Sequence, residues 1–562
     1  MTKIETRTSI GNETPAWAQP QDNGGNETEK TLVADADADA EVAGAVRTRK
    51  PLAFYLAFVG VNTGIFVFCL DSTTLAVAIP AIAKDLDATT LQAFWASIAY
   101  SLCVAVTQPL YTSLSDVFGR KPPYYLAFLL FAVGSLLFAL ARDITTLIVS
   151  RVLQGLGGAG LDVIGEILVS DMTTLQERSL YLGIVALPIA IGSTLGPSLG
   201  ALFSSKVSWR WIGWINLPLL GVAFPLLFFC LRLRPIETSF RRNVKRLDWG
   251  GVGLSVAGIS IFAIPLSWAG SLYPWSSWQT ILPLLIGVAL LVAFAVYERF
   301  PATPIVPYRL FRSRTATMTL LGGFMHGAIL FVLLQYLPLF YQCVELQTVI
   351  ESAVSLLPTS ILSIFFAAVV PIAVSVLGTG YAWSLRGFWA LMTLGAGLLA
   401  LLDTDSPRSM SIGIPVIWGA GVGALLRLVQ LPIQASVPSV DDTGLAIGLL
   451  MTCRCLGGLV GLALSSTIFS SVFASSIAAI AELPASMAIL RNPDAAVGFI
   501  PVLRTLGLSR EALQPVLLAY LAALRAIFYA MTAFGGLGLV TAVFTEELVL
   551  DKHERGRQHF EG

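Results

Sequence analysis

Charge is scarce in this chain. Of 562 residues only 12% are Asp, Glu, Lys or Arg, about half the share carried by a soluble globular domain. Histidine occurs three times and cysteine six. Cys69, Cys103, Cys230, Cys343, Cys453 and Cys455 all fall in or beside apolar runs, which reads as small buried residues rather than a disulfide framework. Cys453-Arg454-Cys455 has the wrong spacing for zinc, so no metal and no other cofactor is expected. No Gly-x-x-x-x-Gly-Lys-Ser/Thr string is present, which removes the usual ATP site. No nucleophile–base constellation stands out, so an enzyme is not expected. No basic stretch leads into an apolar one at the start, so no cleaved signal peptide is expected. The net charge of zero says nothing about partners, because the charges are segregated along the chain, and nothing in the sequence supports a nucleic-acid partner.

The chain is filled instead by apolar runs: 55% of residues are hydrophobic. About 20 apolar residues cross a bilayer as a helix. Fourteen such segments are read at about 53–77, 93–113, 123–141, 145–168, 181–203, 211–231, 250–269, 280–298, 316–340, 352–377, 384–402, 411–431, 444–474 and 519–545. The expected class is therefore an all-α polytopic membrane protein. Residues 1–50 are polar, with an Ala-Asp repeat at 34–40, and are expected to be disordered. Asn12-Glu13-Thr14 and Asn26-Glu27-Thr28 fit the glycosylation sequon but are silent in a cytosolic tail. Lys and Arg crowd the loops on the side of the first tail, most densely at about 232–248, so both termini are expected in the cytosol. The loop at about 475–518 on the other side has no function read for it.

A carboxylate at the centre of a membrane helix costs roughly 2.5–3.5 kcal/mol on insertion scales, so such residues face a cavity or a partner. Asp71 lies inside the first span, ahead of Pro80. The fourth span holds Arg151, Asp162 and Glu166, and Gly155 and Gly158 fall on the same stripe at ~100° per residue. That stripe is expected to line an aqueous path. Arg151 and Asp162 suit one another in charge, but eleven residues of rise, ~16 Å, is too far for direct contact. For Glu166 and Asp171 the plainer reading is an interfacial charge at the helix end. His326 and Gln335 in the ninth span are placed as candidate cavity residues, packing being the ordinary role of a lone intramembrane histidine. Arg454 in the thirteenth is expected to pack near the inner surface. Gly192, Gly196 and Gly200 form a bare ridge on the fifth span, beside Pro197, and let a neighbouring helix come close. Between the second and third spans, Asp116 ends a helix, Gly119 permits a tight turn, and Arg120 and Lys121 anchor it inside.

These strings resemble signatures of the major facilitator superfamily. Gly192-x-x-x-Gly196-Pro197-x-x-Gly200 is similar to the fifth-helix antiporter signature. Asp116-x-x-Gly119-Arg120-Lys121 resembles the loop between helices two and three, although Thr112 and Val117 replace a glycine and a basic residue. Arg151-x-x-Gln154-Gly155 resembles the fourth-helix string, and Leu70-Asp71 with Pro80 resembles the first-helix signature of drug/proton antiporters. Trp209-Arg210-Trp211 with Asn216-Leu217-Pro218 is similar to the start of helix six in the fourteen-helix branch. Asp248-Trp249-Gly250 and Pro304-Ile305-Val306-Pro307 are similar to strings of fungal members.

The resemblance implies the major facilitator fold. A cytosolic tail at 1–50 precedes a six-helix bundle at 51–232. A basic loop with two inserted helices at 233–300 leads to a second six-helix bundle at 301–546 and a cytosolic tail at 547–562. It also implies roles: Asp71 and Arg151 in proton coupling, Asp116, Gly119, Arg120 and Lys121 at the inner gate, and Gly192, Gly196, Pro197 and Gly200 in movement of helix five. Asp162 and Glu166 depart from the family pattern, which is apolar or small there, and on that ground join His326 and Gln335 as candidate residues of the substrate cavity. The implied function is proton-coupled export of a small amphipathic compound across the plasma membrane, by a monomer whose partners are substrate, protons and lipid. The alternative is proton-coupled uptake, or vacuolar loading, of a polar solute such as a basic amino acid or siderophore.

Overall fold

The structure is a computed structural model that describes residues 50–88, 90–234, 240–269, 273–301, 303–377, 380–480, 483–492, 495–548 and 558–561. The expected N-terminal tail with its two sequons, and the basic residues Lys552, Arg555 and Arg557, lie outside them. The fold is that of the compact unit Leu52–Gly562.

Fourteen long helices are present among the described residues: α1 Leu52–Asp85, α2 Thr90–Phe118, α3 Lys121–Leu140, α4 Ile144–Met172, α5 Leu175–Lys206, α6 Trp211–Cys230, α7 Trp249–Trp268, α8 Trp278–Tyr297, α9 Arg314–Cys343, α10 Val349–Leu377, α11 Tyr381–Leu398, α12 Arg408–Leu428, α13 Thr443–Ala478 and α14 Arg510–Val543. Thirteen are long and apolar enough to cross a membrane; α2, with 29 residues, is the fourteenth. Side-chain caps start several of them. Asp143 accepts from Thr146 N at 2.8 Å ahead of α4, Asp248 from Gly251 N at 2.9 Å ahead of α7, and Ser509 from Ala512 N at 3.4 Å ahead of α14. The Ser509 cap sets the start of α14 nine residues earlier than the apolar run indicates, because capping and not hydrophobicity decides where a helix begins. Likewise α1 continues through Pro80 to Asp85, burying Ala78, Ile79 and Ile82 beside Phe138 and Trp209.

The packing repeats with an offset of eight helices. α1 packs on α5 and α6 as α9 packs on α13 and α14; α4 packs on α2 and α3 as α12 packs on α10 and α11. The two bundles meet through α5 against α10 and, reciprocally, α13 against α2, with α4 adding to the second contact. The inserted α7 and α8 pair with one another, and α7 leans on α2. Only 11% of the apolar stretch of α8 is buried; a helix that is hydrophobic and bare on nearly all sides needs lipid as its solvent.

The described residues of the 475–518 segment carry two short elements. A 3-10 turn at Ala485–Arg491 and a short helix at Ala496–Leu503 bury Met487, Leu490, Ile500 and Leu503, and Tyr520 Oη donates to Ala496 O at 2.6 Å.

Candidate functional site: a polar column along the fourth helix

The polar residues of α4 meet three different partners at three depths. Near the end away from the Gly119 turn, Arg151 Nη1 donates to Asp71 Oδ2 of α1 at 2.5 Å, and the two side chains are 0% and 1% exposed. Gln154 Nε2 and Asn216 Nδ2 donate to Asp71 Oδ1 at 3.2 and 2.8 Å, and both also reach Ser135 Oγ. The Arg151 guanidinium lies 4.1 Å from the centre of the Tyr100 ring. Asp71 thus accepts from an arginine and two amides, all out of water. Arg151 pairs with Asp71 and not with Asp162, which about three turns of helix keep away.

This pair is held where it is by the bare ridge of α5. Ser72, Thr73 and Thr74 turn their hydroxyls back onto the Cys69 and Leu70 carbonyls of their own helix. With those groups satisfied, α5 comes close enough that a Cβ at Gly196 would lie 2.0 Å from Thr73 Oγ1. One at Gly200 would lie 2.1 Å from Thr74 O, and one at Gly192 2.9 Å from Phe66 O. Pro197 sits within α5 beside this contact.

At mid-depth Asp162 is half-buried and accepts from Gln108 Nε2 of α2 at 2.8 Å. One turn on, Glu166 is 2% exposed and crosses to the other bundle. Arg427 Nη1 of α12 donates to both of its carboxylate oxygens, at 2.7 and 2.8 Å, and Gln430 Nε2 to one at 3.4 Å. The interfacial reading of Glu166 is therefore corrected: the carboxylate lies inside the protein because an arginine from the second bundle meets it there. The glycines of the stripe differ from expectation as well. A Cβ at Gly155 would meet Tyr100 O at 2.6 Å, so that part of α4 is a packing face for α2 and not a wall of a path.

At the third level the turn after α2 closes that end of the bundle. Gly119 has φ +88°, the conformation glycine tolerates. Arg120 Nε donates to Asp171 Oδ2 of α4 at 2.8 Å, Nη1 to Ser115 Oγ at 3.0 Å, and Asp116 Oδ1 is 3.9 Å away. Burial opposes the charge of Arg120, but Asp171 and Asp116 outweigh it and hold its pKa above the usual arginine value. Lys121 begins α3. Across the bundle interface, a Cβ at Gly444 of α13 would meet Arg120 Nη2 at 2.5 Å, and one at Gly448 would meet Thr112 Oγ1 at 2.1 Å. Thr112 stands where the signature has glycine, and here α13 supplies the glycine instead. Arg178 Nη1 also crosses, to Gln434 Oε1 at 3.1 Å. Gln558 accepts from Arg120 N at 2.9 Å, and Phe560 packs edge-on to Phe54.

His326 is fully buried, its Nε2 3.1 Å from Val422 O of α12. Gln335 is exposed on α9, where it makes no hydrogen bond among the described residues. Neither belongs to the column. Sequence reasoning passed over Arg427, Gln108 and Gln558. An arginine set between Leu426 and Leu428 in an apolar span was a sufficient signal for the first.

Comparison with known proteins gives a consistent outcome. Residues 61–462 match the model of the Major Facilitator Superfamily. The chain is 55% identical over 516 residues to the MFS-type transporter sphD of Aspergillus fumigatus, covering 91% of this chain and 89% of the relative. It is 31% identical to the efflux pump FUS6 of Gibberella fujikuroi, covering 90% and 91% of the two. Among solved structures, the proton:xylose symporter XylE shares the fold with a TM-score of 0.54 at 11% identity, over 88% of this chain and 96% of that one.

Proposed function

The chain belongs to the major facilitator superfamily, and from that premise we propose that it is a proton-coupled exporter of a small amphipathic organic compound, working by alternating access to one cavity between its bundles. The observation that carries the reading is the buried Asp71–Arg151 pair with its Gln154, Asn216 and Ser135 partners. Membership of the family makes the chain a membrane transporter; the pair supplies the coupling device. Ionised Asp71 neutralises Arg151. A proton on Asp71 leaves that arginine uncompensated out of water, at a cost of several kcal/mol. The network then has to rearrange, and because it ties α1, α3, α4 and α6 together, proton binding acts on the geometry of the whole first bundle. The α5 ridge transmits the movement, being seated directly on the residues that follow Asp71.

The Gly119 turn faces the cytosol in this reading, so the arrangement described is one in which the cytosolic gate is shut. Export is supported over uptake by the relative named as an efflux pump. One proton is a sufficient drive. About 2.3 kcal/mol per 100 mV and about 1.4 kcal/mol per pH unit give roughly 5 kcal/mol for 100 mV and two units, a gradient of several thousandfold for a neutral cargo. The plasma membrane is the expected site, with both termini in the cytosol.

Everted vesicles from expressing cells test this. With an acidic lumen they should accumulate a panel of amphipathic dyes, and a protonophore should abolish it. Accumulation that survives the protonophore, or that occurs only in right-side-out vesicles, overturns the reading.

A further inference from the structure

Two buried arginines, one on α12 and one on α13, carry hydrogen-bonding capacity that nothing among the described residues uses. Arg427 gives Nη1 alone to Glu166, and its Nε and Nη2 have no partner although the residue is 1% exposed. Those two atoms form the edge with which a guanidinium grips a carboxylate or phosphate by two parallel bonds. Arg454 of α13 is 7% exposed and has no carboxylate within ion-pair distance among the described residues. Its Nη2 donates to Leu426 O at 3.1 Å, the carbonyl just before Arg427, its Nη1 lies 3.8 Å from Met451 Sδ, and its Nε is unpartnered. The two guanidiniums are close enough to repel one another, with Glu166 and Asp162 as the nearby anions. Arg151 also leaves Nε and Nη2 without a hydrogen-bond partner among the described residues, but its charge is met by Asp71 and its guanidinium lies 4.1 Å from the centre of the Tyr100 ring. A buried cation without a partner is costly, and that cost falls when an anion arrives.

We propose that Arg427 and Arg454 form the docking site for an anionic group of the cargo, a carboxylate, sulfate or phosphate, so that the exported compound is an amphipathic organic anion. The inference rests on the transport reading above. Glu166 and Arg427 sit on opposite bundles, so parting the bundles on the cytosolic side separates them and exposes Arg427 beside Arg454. The cargo anion then meets two cations at the moment Arg427 loses its internal partner. As the bundles close again, Glu166 returns to Nη1 while the cargo keeps the Nε–Nη2 edge.

The test uses the purified full-length protein and two probe pairs. The first is decanoate against decanol, which share an apolar tail and differ in charge. Decanoate should raise the melting temperature more than decanol in wild type. That difference should vanish in Arg454→Gln, and in Glu166→Gln/Arg427→Gln, which removes both ends of the buried pair together. The second is fluorescein against rhodamine 6G in proteoliposomes with a pH gradient. Fluorescein transport should fall at least about tenfold in Arg454→Gln, the loss expected for one charge-assisted hydrogen bond, and should fall by more than rhodamine 6G transport does. Equal stabilisation by decanoate and decanol, or a decanoate effect that survives Arg454→Gln, overturns the proposal. Gradient-driven movement of rhodamine 6G but not fluorescein overturns the anion site and leaves proton-driven export standing. Arg454-dependent decanoate binding with no gradient-driven movement of either dye leaves the site standing and overturns the export reading.

Discussion

The Glu166–Arg427 pair should hold the cytosolic side shut, and removing one partner should open it by a calculable amount. Both carboxylate oxygens accept from one guanidinium nitrogen at 2.7 and 2.8 Å, with both residues buried and on opposite bundles. Leaving one member of a buried pair unpaired costs about 3–5 kcal/mol, whereas removing both is often near neutral. The cost applies to the closed arrangement and not to one in which the bundles have parted and water reaches the charge. Glu166→Gln should therefore shift the closed–open equilibrium toward open by roughly two to three and a half orders of magnitude. Glu166→Gln/Arg427→Met should shift it far less, and the gap between them is the coupling energy. A reporter is available at Thr112, which is 3% exposed and pressed against Gly448 of α13. A Thr112→Cys reporter, in a background with the six native cysteines replaced, should react with a polar maleimide only when the bundles part. The labelling rate reads the open population directly. If Glu166→Gln labels at the wild-type rate, the pair does not hold the gate and the reasoning fails.

Gly196→Ala and Gly200→Ala should lower the melting temperature in detergent, since the new Cβ would press on Thr73 Oγ1 at 2.0 Å and Thr74 O at 2.1 Å. Gly221→Ala, with nothing within 4 Å, should leave it unchanged. Overpacking of this kind costs about 1–3 kcal/mol, and more where the obstacle is backbone, as at Gly200. Glu298, just beyond α8, has its carboxyl pushed up to about 7, chiefly by burial, with Asp248 adding to it. A carboxyl raised in this way favours the folded state when protonated. Stability should therefore fall as pH rises from the ordinary carboxylate range through about 7, and Glu298→Gln should flatten that slope in melting curves; a slope that persists in the variant refutes the assignment. Gln558→Ala removes the acceptor for Arg120 N and should raise labelling at the Thr112→Cys reporter by about fivefold to tenfold, the worth of one buried hydrogen bond.

Much of the frame was legible because lipid imposes simple rules. A run of apolar residues has to be a helix, and Lys and Arg mark its ends, so the long helices, thirteen of them apolar enough to cross a membrane, and the turn at Gly119 follow from composition and spacing. Boundaries were less legible, since α14 begins at a serine cap and α1 runs on past Pro80 because Phe138 and Trp209 give it something to pack against. Partners across helices were the least legible. Periodicity places Arg151, Asp162 and Glu166 on one face of α4, but it is silent on what faces them. That Arg151 meets Asp71, and that Glu166 meets Arg427, depends on how α1 and α12 are rotated in the bundle. Thr112 shows the same limit: its departure from the signature is answered by Gly448 on another helix, far away in the chain.

The central claim is that ionisation of Asp71 couples cargo movement to protons. Asp71→Asn keeps the shape of the side chain and removes the titrating group. In proteoliposomes loaded with a transported dye, this variant should still exchange labelled for unlabelled dye at equilibrium, yet accumulate none on an imposed pH gradient. Accumulation by Asp71→Asn that matches wild type and collapses with the gradient would contradict the account, because the coupling proton would then ride elsewhere.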